Sequence, residues 1–239
     1  MNKLILTAAA LALTAGMSFA ETIKIATEGE YEPYNFINDD GEIDGFEKVL
    51  GDIICERAGL TCMWQTEKWE PMIPNLMSGN YDVIMAGMSV TAERDSKIDF
   101  TEEYTLPEPS AYVALSADVN LSGAVIAAQV ATIQASFVAE LPGVTLVEFA
   151  TPEETIAAVK NGEADAVLAD LNYVAPIAEA DADLILLDKQ EFIGGGVAMG
   201  IRESDNDLRD KLSAAIKSVK ADGTLNALII EWKIGQPFP

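Results

Sequence analysis

Arg94 carries a planar, two-pronged set of N–H donors that suits a carboxylate, and Asp170 carries the counter-charge that suits an ammonium. Ser89, five residues before Arg94, adds a hydroxyl. Arg94 and Asp170 together complement a zwitterion. From the residues alone Arg94 has two roles open to it, because Glu93 and Asp95 flank it and either would make an ordinary surface ion pair. The chain has no histidine, which removes the commonest general base and the Ser/Cys–His nucleophile arrangements and argues against a hydrolase. No metal or cofactor is implied. Its two cysteines, Cys55 and Cys62, lack the further Cys or His that a metal site needs, and in an exported chain they are expected to oxidise to a disulfide.

Export is the reading of the first twenty residues. Lys3, the apolar run Leu4–Met17 and Ser18-Phe19-Ala20 have the layout of a secretory leader cleaved before Glu21, and the run is shorter than a membrane span. Against 15 basic residues stand 39 acidic ones, a formal charge of −24. Nucleic acid and anionic lipid are therefore poor partners. The same acidity serves solubility and is no guide to the ligand.

Ligands of open α/β sheets bind beyond the carboxyl ends of the strands, so the strands decide which residues meet. Thr22–Thr27 alternates as a strand, and Glu28–Asn35, with Gly29 and Pro33, reads as a loop. Phe46, Val49, Leu50, Ile53 and Ile54 fall on one helical face. A helix over Glu70–Ser78, a stop at Gly79 and a buried strand over Tyr81–Met88 follow. This unit is echoed 83 residues later, where Ile156…Val159 leads through Gly162 and Asp165 to Ala166-Val167. A capping box of Thr151 and Glu154 opens the second helix. The echo predicts two similar lobes, and if they face each other Ser89 and Asp170 meet across a cleft. A helix near Leu171–Ala180, a strand near Leu184–Leu187, a long helix over Asp207–Ala221 and a shorter one to Lys233 complete the reading. Leu106–Pro109 and Gly194–Gly196 are either crossings between lobes or surface loops.

Four segments, Ala26–Phe36, Gly41–Phe46, Trp69–Pro74 and Met85–Arg94, with Lys220–Thr224 and Trp232-Lys233, resemble the polar amino-acid-binding solute-binding proteins of bacterial ABC importers, family 3, in order and spacing across the mature chain. The resemblance implies a two-lobed periplasmic-binding-protein fold of type II, each lobe a mainly parallel sheet flanked by helices and joined by a two-strand hinge. Residues 21–109 and 195–239 would form lobe 1 and 110–194 lobe 2. It also implies roles. Arg94 would hold the ligand α-carboxylate, helped by Thr132 and nearby backbone N–H groups. Asp170, the Gly87 carbonyl and Ser89 would hold the α-ammonium, and Tyr31 and Trp69 would sandwich the side chain. Glu28 stands where binders of basic amino acids carry an acid, and Cys55–Cys62 matches a disulfide of some of them. Val130-Ala131-Thr132 stands where Ser-Gly-Thr is more usual. The implied protein is a periplasmic monomer that passes arginine, lysine or ornithine to an ABC permease and catalyses nothing. Binders of opines or neutral polar amino acids, and a cyclohexadienyl dehydratase on the same scaffold, are the alternatives.

Overall fold

The computed structural model describes residues 21–239. The expected leader, Met1–Ala20, lies outside the described residues.

Two five-stranded sheets organise the chain. It begins with β1 (Thr22–Thr27), a small antiparallel sheet of β2 (Glu30–Tyr31), β3 (Asn35–Ile37) and β4 (Ile43–Asp44), then α1 (Phe46–Ala58), β5 (Thr61–Thr66), α2 (Met72–Met77), β6 (Val83–Ile84), α3 (Ala92–Asp95) and β7 (Asp99–Phe100). The second sheet comes from β8 (Ser110–Ala114), β9 (Val125–Gln129), β10 (Thr145–Phe149), β11 (Ala166–Asp170) and β12 (Ile185–Glu191), with α4 (Ile133–Glu140), α5 (Pro152–Lys160) and α6 (Leu171–Ala180) between them. The chain then returns through β13 (Gly200–Ile201) to α7 (Asn206–Ala221) and α8 (Thr224–Trp232).

The first sheet runs β5-β1-β6-β13-β7 and the second β10-β9-β11-β8-β12. Four strands of each run in one direction, and the fifth, β13 in the first sheet and β8 in the second, is antiparallel to both its neighbours. The sheets are therefore mixed, because chain that passes between them re-enters in the opposite sense. Buried side chains cover both faces of each sheet, as parallel strands require. On α1 the predicted face is the buried one: Phe46, Leu50 and Ile54 are fully enclosed, and truncating Leu50 to Ala costs about 2–5 kcal/mol. The Cys55–Cys62 disulfide ties the end of α1 to β5, with Cα atoms 6.2 Å apart.

Both echoed helices end at a glycine in the left-handed region, Gly79 at φ 79° and Gly162 at φ 75°, a conformation that L side chains resist. Thr151 and Glu154 form the expected capping box. Glu28–Asn35 differs from the expected loop. Its residues form part of the β2–β3 hairpin, which turns Tyr31 toward the second sheet. The regular strand expected over Tyr81–Met88 spans only Val83–Ile84, with the Asp82 and Met85 N–H groups on its flanks donating to the Lys24 and Ala26 carbonyls of β1 at 3.0 and 2.9 Å.

Segments 101–109 and 192–199 carry the chain between sheets. They run side by side, Thr101 and Tyr104 N–H donating to Met199 and Val197 carbonyls at 3.0 and 2.7 Å. A Cβ on Gly196 would stand 2.2 Å from the Thr105 carbonyl oxygen, so only glycine permits this approach. Among the described residues no helix is long and apolar enough to cross a membrane.

Candidate functional site

The carboxyl ends of β1, β6, β9 and β11 converge on a partly open cleft between the sheets. All eight residues expected at the site line it: Glu28, Tyr31, Trp69, Gly87, Ser89, Arg94, Thr132 and Asp170.

Arg94 sits on α3, whose N-cap is Thr91, the Thr91 hydroxyl accepting from the Arg94 N–H at 3.1 Å. The side chain is buried. Its Nη1 donates to the Ser89 carbonyl at 2.9 Å, and the guanidinium carbon lies 5.1 Å from the Trp69 ring centre. Glu93 pairs instead with Lys97, so the surface ion pair left open by the sequence is not formed. Burial lowers the Arg94 pKa to about 10, against the raising influence of Asp170 and Glu93. A desolvated cation without a carboxylate is costly, and an incoming anion relieves that cost.

Asp170 ends β11 and opens α6. Tyr31 Oη donates to its Oδ2 at 2.8 Å and Gln134 Nε2 to its Oδ1 at 2.8 Å. Gln134 also donates to the Ser110 hydroxyl. Burial raises the Asp170 pKa, and hydrogen bonds and Arg94 oppose that rise. Tyr31 and Trp69 each already carry a partner. Tyr31 stacks on Tyr173 of α6 with ring centres 4.4 Å apart and planes 10° apart, and Trp69 has Arg94 over it, with its Nε1–H donating to the Ala131 carbonyl at 3.1 Å.

Glu28 follows β1 directly. It is buried and accepts from Gln129 Nε2 across the cleft; burial raises its pKa to about 7, with Glu30 adding to the rise and Gln129 opposing it. The Thr132 hydroxyl is committed as the N-cap of α4, accepting from Ala135 N–H at 3.1 Å and donating to the Gln129 carbonyl at 2.7 Å. What Thr132 leaves for an anion is backbone N–H at a helix N-terminus. Ala131 before it has φ 58°, the left-handed conformation that the more usual glycine adopts without strain.

Beneath the site the fully buried Glu47 accepts from the Gly87 N–H and Asn35 Nδ2, both at 2.7 Å, and from the Tyr104 hydroxyl. Asn35 Oδ1 in turn accepts from the Gly29 N–H at 2.7 Å. One carboxylate thus braces the turns carrying Glu28 and Gly87. Burial raises its pKa against those three donors.

The sequence reading missed Gln129, Gln134, Tyr173 and Glu47. Gln129 had a findable signal, since it ends the parallel strand β9 as Asp170 ends β11. Gln134 and Tyr173 sit on helices with no pattern that separates them from core or surface.

A sequence model of the bacterial extracellular solute-binding proteins, family 3, matches residues 23–236. A periplasmic His/Glu/Gln/Arg/opine family-binding protein from Silicibacter pomeroyi, solved in complex with lysine, is 60% identical with a TM-score of 0.85, covering 88% of this chain and 96% of that one. An ancestral amino acid-binding protein, a precursor of cyclohexadienyl dehydratase, is 25% identical with a TM-score of 0.78, covering 88% and 94%. The octopine-binding periplasmic protein of Rhizobium meliloti is 30% identical over 94% of this chain and 95% of its own length. The putative ABC transporter arginine-binding protein 2 of Escherichia coli is 26% identical over 97% and 99%.

Proposed function

The chain belongs to the bacterial extracellular solute-binding proteins, family 3, and from that membership we propose that it captures an L-amino acid with a basic side chain, arginine, lysine or ornithine, for an ABC importer. The observation that carries this reading is Arg94, a buried guanidinium with no carboxylate partner among the described residues, lining the same cleft as Asp170. A carboxylate on Arg94 and the first turn of α4, and an ammonium on Asp170, Ser89 and the Gly87 carbonyl, neutralise both charges at once. The side chain then runs along Tyr31 and Trp69 toward Glu28. The 60% identity to a protein solved with lysine and the likeness to an arginine-binding protein support the basic preference.

In this reading residues 21–109 with 195–239, and 110–194, are two lobes that close about the paired crossings. The protein is a monomer, exported to the periplasm with loss of Met1–Ala20, and hands its ligand to a membrane permease without changing it. The likeness to an octopine binder favours opines as the second ligand class.

A thermal-shift screen of the mature protein against amino acids and opines tests the proposal, because a ligand that binds only the folded state raises its melting temperature. Stabilisation by arginine, lysine or ornithine is expected. No shift with any α-amino acid, or turnover of prephenate or arogenate, rules the proposal out.

A further inference from the structure

Resting on the amino-acid reading of the cleft, we infer that Gln129 is a specificity-determining residue: its carboxamide oxygen and Glu28 Oε2, one from each side of the cleft, form a two-acceptor fork for a distal group with several N–H donors, a guanidinium above all.

The orientation of the carboxamide follows from its neighbours. Nε2 has two protons, and two acceptors stand against it, Glu28 Oε1 and, at 3.3 Å, the Ala150 carbonyl. The opposite assignment would set the amide oxygen against two oxygens. With both protons used inside the protein, Gln129 Oε1 and Glu28 Oε2 remain as acceptors that meet no protein donor among the described residues. Both residues are 8% exposed, and both line the cleft. The two oxygens are open to the cleft, where a ligand donor can reach them.

Their position is fixed from both sides. Gln129 closes the β9–β10 ladder opposite Phe149, and its carbonyl accepts from the Thr132 hydroxyl that caps α4. Glu28 follows β1 and precedes Gly29, whose N–H is held by Asn35. The fork exists only when the two sides approach, so a ligand that fills it links distal recognition to closure. A guanidinium is planar and offers five donors in a fixed fan, enough for two acceptors on separate residues; a lysine ammonium is a compact point charge with three. The fork therefore ranks arginine above lysine.

The groups that face Glu28 set its charge. Gln129 donates to it, Glu30 and the Tyr173 hydroxyl lie within electrostatic reach, and Lys68, Glu67 and Glu154 line the outer opening that Glu28 shares with Trp69. In this company burial holds Glu28 near pH 7, and the Gln129 donor is the influence that keeps the carboxylate from rising further.

The test is calorimetric titration of arginine, lysine and glutamine into the wild type, Gln129→Met and Gln129→Asn across pH 5.5–8.5. Gln129→Met is expected to weaken arginine by about tenfold or more, lysine by less, and to move the pH midpoint of arginine affinity upward. Gln129→Asn, which keeps the amide one methylene short, is expected to fall between and serves alone if the Met variant does not fold. An arginine affinity within about twofold of wild type, with an unmoved midpoint, overturns the inference and leaves the proposed function standing. Wild-type protein that binds none of the three overturns both.

Discussion

The Arg94 guanidinium packs 5.1 Å from the Trp69 ring centre and donates to the Ser89 carbonyl, while the acids beside it in sequence, Glu93 and Asp95, form no ion pair with it. Glu93 is drawn off by Lys97 at i+4, and Thr91 caps α3 so that Arg94 points inward. A cation held this way, desolvated on an aromatic face, is arranged for an anion that arrives from outside.

Replacing that cation with an apolar residue of similar length separates binding from stability. Arg94→Met is expected to weaken every α-amino acid by about a hundredfold, since two charge-assisted hydrogen bonds of about 1.5 kcal/mol each are lost. The ligand-free variant is expected to melt at or above the wild-type temperature, because an uncompensated buried charge has gone. Titration with several ligands and a thermal melt check both halves. A loss confined to basic ligands contradicts the carboxylate role.

Glu28 makes affinity for a cationic ligand depend on pH. Its folded pKa of about 7 lies above the ordinary 4.5, so the ligand-free side chain carries a proton below about pH 7 that a cationic ligand must expel. Affinity for arginine or lysine is expected to be flat above that point and to fall by up to about tenfold per pH unit beneath it. Stability of the ligand-free protein moves the other way. The folded state holds this proton more tightly than the unfolded one, so the Glu28 contribution rises as pH falls from about 7 toward 4.5. Calorimetry in two buffers of different ionisation heat detects the released proton, and Glu28→Gln is expected to abolish the release.

Which parts of this site were legible in the sequence follows from how local their signals are. Arg94, Ser89 and Asp170 could be placed because the helix–Gly–strand echo put them after equivalent strands. Glu28, Tyr31 and Trp69 have no such local mark and were reached only through family motifs. Gln129 meets Glu28 across a sequence separation of 101 residues, and β8 and β9 were unread because Ser110–Ala114 and Val125–Gln129 are short, alanine-rich and buried, without an alternating pattern. Glu47 looks like a first-turn acid of α1. Only the fold turns it inward under Gly87.

Ala131, where glycine is more usual, has a measurable cost. At φ 58° its Cβ is strained by about 1–2 kcal/mol, part of which glycine would return as unfolded-chain entropy. Ala131→Gly is expected to stabilise the ligand-free protein by about 0.5–1 kcal/mol, a rise of about 1–4 °C in melting temperature for a chain of this size. The Trp69 Nε1–H bond to the Ala131 carbonyl is preserved in the variant. A lower melting temperature would mean that the methyl group is held by packing that outweighs the strain.

The Tyr31–Tyr173 stack joins the β2–β3 hairpin, beside the first sheet, to α6, beside the second, and covers one face of the ring expected against the ligand. Tyr31 is therefore held on one face and by its hydroxyl on Asp170, which leaves one face for a side chain. An aromatic pair is worth about 0.5–1.5 kcal/mol beyond the area it buries, so Tyr173→Leu, which keeps apolar bulk but not the stack, is expected to weaken ligand binding by about 2- to 13-fold. Because the stack bridges the two sides of the cleft, which in the proposed closure opens for release, the loss is expected in the dissociation rate, with association little changed. Stopped-flow measurement of both rates decides. An unchanged dissociation rate would mean that the stack survives opening and belongs to the resting fold.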